Sequence, residues 1–263
     1  MESSLAAYLP FAQQFLASTK ETKPVLLFFQ YPNDGSLAHA GAFLSRELSR
    51  AGVPKDSVDF VCHSAGGLVG RYYAEVLEQP FGRMVFQGTP HEGSELAGLR
   101  TVLEAKQFLG DMDLGHSNAL QKTILDGRGQ ISIDLTPGSI FLQHLNGSSR
   151  VRDVGKYFVQ RGRKYSRPEA FLRKGAFATL KKAALATFRS TYPKGANALT
   201  DAAADYFSTI ELPDEVMSGD LCVTLESAGL PGVKDIKTYD GVGHTDLPFN
   251  KKAVRDLVEH LGR

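Results

Sequence analysis

The chain has 263 residues, of which 42% are hydrophobic and 22% are charged, and its formal net charge is +1. The length suits one large domain or two small ones, and the composition is ordinary for a soluble globular protein. So small a net charge argues against a general attraction to nucleic acid. No apolar run approaches the ~20 residues that span a bilayer. The acidic start Met1-Glu2 argues against a signal peptide, so a cytoplasmic location is predicted.

Taken in chain order, the hydrophobic pattern alternates between helical and strand-like segments. Apolar residues at helical spacing predict a helix over 3–18, and a continuous apolar run over 25–29 predicts a strand buried on both faces. Ser36 is predicted to cap a helix that ends at Gly52. The remaining elements are a strand over 58–62, a helix over 68–77, strands over 82–87, 154–160 and 236–239, and a last helix capped by Asn250.

This alternation predicts βαβ units, hence an α/β fold with a mostly parallel sheet and helices on both faces. Two stretches, about 95–150 and 162–212, interrupt it. We interpret both as helical insertions, forming a cap or lid, within a single domain over 1–263.

One turn between a predicted strand and a predicted helix carries a serine, in the run VCHSAGG at 61–67. A serine hydroxyl is a poor nucleophile, and placing it at such a turn projects it from the sheet toward a base. The turn requires small residues two before and two after the serine, here Cys62 and Gly66. The sequence therefore predicts Ser64 as the nucleophile, with the backbone N–H of Ala65 as one oxyanion donor.

The run HSAGGLVGRYY at 63–73 resembles the nucleophile region of bacterial triacylglycerol lipases, and it is similar to that of esterases related to the GPI inositol-deacylases. Four further blocks resemble segments of these families in the same order: GTPHEGS at 88–94, DLTPGS at 134–139, SGDLCVTLESA at 218–228 and GVGH at 241–244. The resemblance covers roughly 25–261 and implies an α/β-hydrolase fold.

In that fold the catalytic residues follow the order serine, acid, histidine. The histidine precedes the final helix, which points to His244 as the base. The resemblance favours Asp220 as the acid that orients it. Other acids near these positions stay open as alternatives: Asp214, Glu215, Glu226, Asp240 and Asp246.

The second oxyanion donor has no match in the sequence. These families mark it with a His-Gly pair, which is absent here. The run at 25–29 resembles their next strand instead, so the resemblance implies that the first strands of the fold are lacking. The backbone of Phe29 or Gln30 is then the candidate for the second donor.

Together these features predict a carboxylic ester hydrolase, lipase-like or esterase-like, that forms an acyl-serine intermediate without cofactor or metal. The alternatives are a non-catalytic or truncated hydrolase-fold protein that binds lipid or a protein partner, and an acyltransferase using the same residues.

The segment 150–194 holds thirteen Lys and Arg against Asp153 and Glu169. It could be a solvated helix, a lid or a peripheral contact with an anionic membrane. The partner predicted is a small-molecule or lipid ester, not nucleic acid.

Overall fold

The computed structural model describes residues 8–19, 24–31, 35–94, 130–147, 153–166 and 218–262, with a few single positions between 182 and 201. Most of the two predicted insertions lies outside these residues, as does most of the basic segment 150–194. Whether those insertions form a cap stays a prediction.

The described residues form six α-helices and four strands. In chain order these are α1 (Leu9–Ser18), α2 (Leu37–Arg50), β1 (Phe60–His63), α3 (Gly66–Arg71), β2 (Met84–Gln87), α4 (Gln130–Asp134), α5 (Ile140–Gly147), β3 (Tyr157–Arg163), β4 (Ile236–Asp240) and α6 (Lys251–Leu261). A π-helical turn, Tyr72–Val76, continues α3. Three short 3-10 helices cover Lys55–Ser57, Val154–Lys156 and His244–Phe249.

The four strands form one parallel sheet in the order β1-β2-β3-β4. Each predicted strand from 58 onward is present, displaced by at most a few residues. Strand β3 extends to Arg163, so the second insertion begins later than the predicted 162. Because all four strands run the same way, their carboxyl ends lie at one edge of the sheet, where open α/β sheets bind ligands.

Alternating side chains of the central strands point into two separate cores. Val85 and Phe158 face α1 and α6, where they pack with Phe11, Phe15 and Leu257. The neighbouring strand residues point the other way, into the larger core beneath α2 and α3, which includes Leu37, Leu44, Leu68, Met84, Phe86 and Val159. Both faces of the sheet are thus covered, as the continuous apolar strands predicted.

Two predicted caps hold the helices that flank the sheet. The Ser36 hydroxyl accepts a hydrogen bond from the N–H of Ala38 at the start of α2. Asn250 Oδ1 accepts from the N–H groups of Lys252 and Ala253 at the start of α6. Each cap satisfies N–H groups that have no partner within the helix.

The prediction of a buried strand over 25–29 is wrong. Residues 24–31 form no regular secondary structure, and Val25 and Leu27 are 81% and 61% exposed. The segment forms no ladder with β1, so nothing holds it in the sheet. Phe29 instead turns its ring toward Phe43 of α2 and toward Tyr31.

Among the described residues, no helix is both long enough and apolar enough to cross a membrane.

Candidate active site

The turn after β1 holds Ser64 in a left-handed backbone conformation, with φ of 54°. Such a conformation is strained for a residue with a side chain, and it is the geometry of a tight strand-to-helix turn. The Ser64 N–H donates to the carbonyl of Gln87 at 2.9 Å, and the Ser64 carbonyl accepts from the N–H of Gly67 at 3.0 Å. The strand thus continues through the serine, and the helix begins directly after it.

The crowded glycine of this turn is Gly67, not Gly66. A Cβ on Gly67 would lie 2.0 Å from Thr89 Oγ1, whereas a Cβ on Gly66 would meet nothing within 4 Å. Contacts from the rest of the fold therefore require a small residue at Gly67, and none of them requires one at Gly66. Cys62, two residues before the serine, is buried, and its sulfur lies 3.2 Å from where a Cβ on Gly70 would be.

His244 reaches Ser64 from the loop that follows β4. Its Nε2 lies 2.9 Å from Ser64 Oγ, and its Nδ1 lies 2.8 Å from Asp220 Oδ2. A carboxylate only accepts hydrogen bonds, so Nδ1 carries the proton and Nε2 accepts from the serine hydroxyl. The three residues that the sequence singled out are thus brought together, although 180 positions separate the outer two.

Asp220 is 1% exposed, and backbone groups fix its carboxylate. Its Oδ1 accepts from the N–H groups of Cys222 and Val223 at 3.0 and 2.7 Å, which leaves Oδ2 for His244. The Asp220 carbonyl accepts from the N–H of His244 at 2.8 Å, and the carbonyl of Gly219 accepts from the N–H of Lys164. These bonds attach the loop of Asp220 both to His244 and to the end of β3.

The other acids weighed from the sequence lie elsewhere or have other partners. Asp240 pairs with Arg163, and Glu226 is exposed. Asp246 accepts from Lys164 and from the N–H of Gly243, and these two hydrogen bonds lower the pKa of Asp246. Asp214 and Glu215 lie outside the described residues.

His63 has a place that the sequence interpretation missed. Its ring lies beside that of His244, with 4.8 Å between ring centroids, and its Nε2–H donates to the His244 carbonyl at 3.0 Å. Burial, and then proximity to His244, lowers the pKa of His63 from 6.5 to about 4. The ring therefore stays neutral near pH 7. Its nearness to the serine in the sequence was the available signal.

Gly88 is the second position that the sequence did not single out. It directly follows β2, with φ of +59°, and a Cβ there would lie 2.9 Å from Asp220 Oδ2 and 3.1 Å from His244 Nδ1. The Asp220–His244 pair therefore sits against bare backbone.

A buried ion pair holds the helix that follows Ser64. The Arg71 guanidinium donates to both carboxylate oxygens of Glu75 at 3.0 Å, and Tyr157 also donates to that carboxylate. Arg71 further donates to Asn146 of α5 and to Nδ1 of His91. The network joins α3 to the segment after β2 and to α5.

The two oxyanion candidates from residues 29–30 stay predictions. The side chain of Phe29 is partly buried against α2, and Gln30 is exposed. Ala65, the first donor proposed, occupies the N-cap of α3, so its N–H is among those that a helix leaves without an internal partner.

Comparison with known proteins gives independent information on the fold. No family model and no curated protein matches the chain. Among solved structures it is similar to the mature form of lipase BlEst2 from Bacillus licheniformis, with a TM-score of 0.50 and 20% identity over 89% of this chain and 77% of that one. The propeptide form gives a TM-score of 0.50 and 16% identity over 88% of this chain.

The fold is that of the α/β-hydrolases. A likeness at this level of identity concerns the fold alone, and the parallel sheet with helices on both faces agrees with it. The chain spans 42% of the length of the BlEst2 propeptide form. Phospholipase PlaB from Legionella pneumophila also matches, with a TM-score of 0.45 and 13% identity over 62% of this chain and 37% of that one.

Proposed function

We propose that the protein hydrolyses carboxylic esters, with lipid esters as the substrate class, through an acyl intermediate on Ser64. The observation that carries this proposal is the pair of short contacts made by His244, 2.9 Å to Ser64 and 2.8 Å to Asp220. The solved lipase structures that share the fold support the choice of substrate class.

In this mechanism His244 Nε2 takes the hydroxyl proton as Ser64 Oγ attacks the ester carbonyl carbon. The C–O bond to the alcohol then breaks, and the imidazolium gives its proton to the leaving alcohol. Water attacks the acyl-serine in the second half, with His244 again as base. Asp220 holds the imidazole in the required tautomer and stabilises its positive charge. The N–H of Ala65 faces the developing oxyanion.

A fluorophosphonate probe tests the nucleophile directly. We expect stoichiometric labelling of the wild type and none of Ser64→Ala, since the probe needs an activated serine. Hydrolysis of p-nitrophenyl esters from acetate to palmitate then reports the acyl length preferred. Equal labelling of both proteins, or no labelling and no turnover at any length, would overturn the proposal. An added acceptor alcohol that becomes the main product would replace hydrolysis by acyl transfer.

A further inference from the structure

We propose that Asp220, Cys222 and His244 form a binding site for Zn²⁺, and that the cation inhibits the enzyme by occupying it. The thiol sulfur of Cys222, an imidazole nitrogen and a carboxylate oxygen all lie within 4.8 Å of one another. Inhibition rests on the proposed ester hydrolysis, whereas the binding itself does not.

The donor set fits the chemistry of zinc. Zinc binds sulfur at about 2.3 Å and nitrogen or oxygen at about 2.0–2.2 Å, and its tetrahedral geometry places two donors about 3.4–3.6 Å apart. The three donor atoms, which lie within 4.8 Å of one another, must therefore approach by up to about 1.2 Å when the ion binds. Thiolate and imidazole favour Zn²⁺ over Ca²⁺ and Mg²⁺, which prefer oxygen donors. Three protein ligands also leave a fourth position for water.

Two hydrogen bonds hold the backbone of Cys222 in place. The N–H of Cys222 donates to Asp220 Oδ1, and its carbonyl accepts from the Ser94 hydroxyl at 2.6 Å. The loop therefore needs little ordering when the ion binds. Asp220 is buried, while Cys222 and His244 are partly exposed, so an ion would approach from the side of these two residues.

The second cysteine of the chain provides an internal contrast. Cys62 is buried beneath the serine turn, and burial raises the pKa of its thiol to about 12. A buried thiol that resists ionisation is a poor metal ligand, because the thiolate is the binding form. Cys222 is thus the thiol on which zinc binding depends, and Cys62 serves as its control.

Occupation of the site removes the base. If zinc binds Nε2 of His244, that nitrogen can no longer accept the Ser64 proton. If zinc binds Nδ1, the ring loses the hydrogen bond to Asp220 that orients it. Neither state can activate the serine. Removal of the ion by a chelator restores both contacts, so the inhibition is reversible.

The test measures zinc binding and ester hydrolysis separately. Competition with a chromophoric chelator gives the dissociation constant of Zn²⁺ for Ser64→Ala, which retains all three ligands. We expect Cys222→Ser in that background to weaken binding at least about tenfold, and Cys62→Ala to leave it unchanged. In the enzyme with Ser64 intact, Zn²⁺ at ten times its dissociation constant should lower p-nitrophenyl butyrate hydrolysis about tenfold by occupancy. EDTA should restore it.

The two hypotheses fail in different ways. Zinc binding that is absent, or equally tight in Cys222→Ser, overturns the metal site whatever the esterase result. Binding that depends on Cys222 without loss of activity overturns the inhibition. Binding that depends on Cys222 in a protein that hydrolyses no ester even with EDTA supports the metal site and contradicts the proposed function.

Discussion

Replacing Gly88 with alanine tests whether the contact between Asp220 and His244 controls activity. The added Cβ would lie 2.9 Å from Asp220 Oδ2 and 3.1 Å from His244 Nδ1, whereas ordinary contacts begin at 3.4 Å. The carboxylate oxygen must therefore move by about 0.5 Å, and a displacement of about 1 Å at a reacting centre can cost 10²-fold in rate. We expect kcat to fall about 10- to 100-fold for Gly88→Ala.

Gly52→Ala is the matched control for this substitution. Gly52 has a similar φ of +65°, but a Cβ there would meet nothing within 4 Å. Gly52→Ala should lose about 1–2 kcal/mol of stability, because a side chain is disfavoured in the left-handed region, and Gly88→Ala should lose more because its Cβ also meets Asp220 and His244. Urea unfolding measures that loss, and initial rates with p-nitrophenyl butyrate give kcat and KM. If Gly88→Ala keeps a kcat within twofold of Gly52→Ala, the reasoning about this contact is refuted.

Three further predictions concern the residues around the site. Asp220→Asn should lower kcat about 10⁴-fold with little change in KM, because the imidazole loses its tautomer and its counter-charge; a loss below tenfold in steady-state assays would contradict this role. Glu75→Gln should reduce the free energy of unfolding in urea by about 3–5 kcal/mol, because it leaves the buried Arg71 guanidinium without its counter-charge; a loss under 1 kcal/mol would argue against the ion pair. The lowered pKa of His63 means that the unfolded chain binds its proton first, so stability falls as pH drops from 6.5 to about 4, by up to about 3 kcal/mol. His63→Gln keeps an N–H donor but cannot titrate, so its urea midpoint should depend less on pH over that range; an unchanged pH dependence would count against burial of the neutral ring.

The strands of the sheet could be predicted because strands buried on both faces are continuous apolar runs. The same rule gave a wrong prediction of a strand over 25–29, because an apolar run does not show whether a neighbouring strand is present to pair with it. Ser64, Asp220 and His244 could be proposed as the site from the order of motifs along the chain. How they meet depends on hydrogen bonds between distant loops, which no local pattern encodes.

The positions that the sequence interpretation did not single out share one property. The ring of His63 and the bare backbone of Gly88 matter because of what approaches them from elsewhere in the fold. Likewise, only the approach of Thr89 distinguishes Gly67 from Gly66. Such requirements are tertiary, so residue type and spacing could not reveal them.

The backbone hydrogen bond from His244 to the carbonyl of Asp220 makes the acid and the base one mechanical unit. When one of the two loops moves away from the other, this hydrogen bond must break, and Asp220 and His244 move apart. Hydrogen exchange at the single amide of His244 would therefore measure how often the pair comes apart in the resting protein. The exchange rate of that one amide proton would therefore report how stable the contact between Asp220 and His244 is when no substrate is bound.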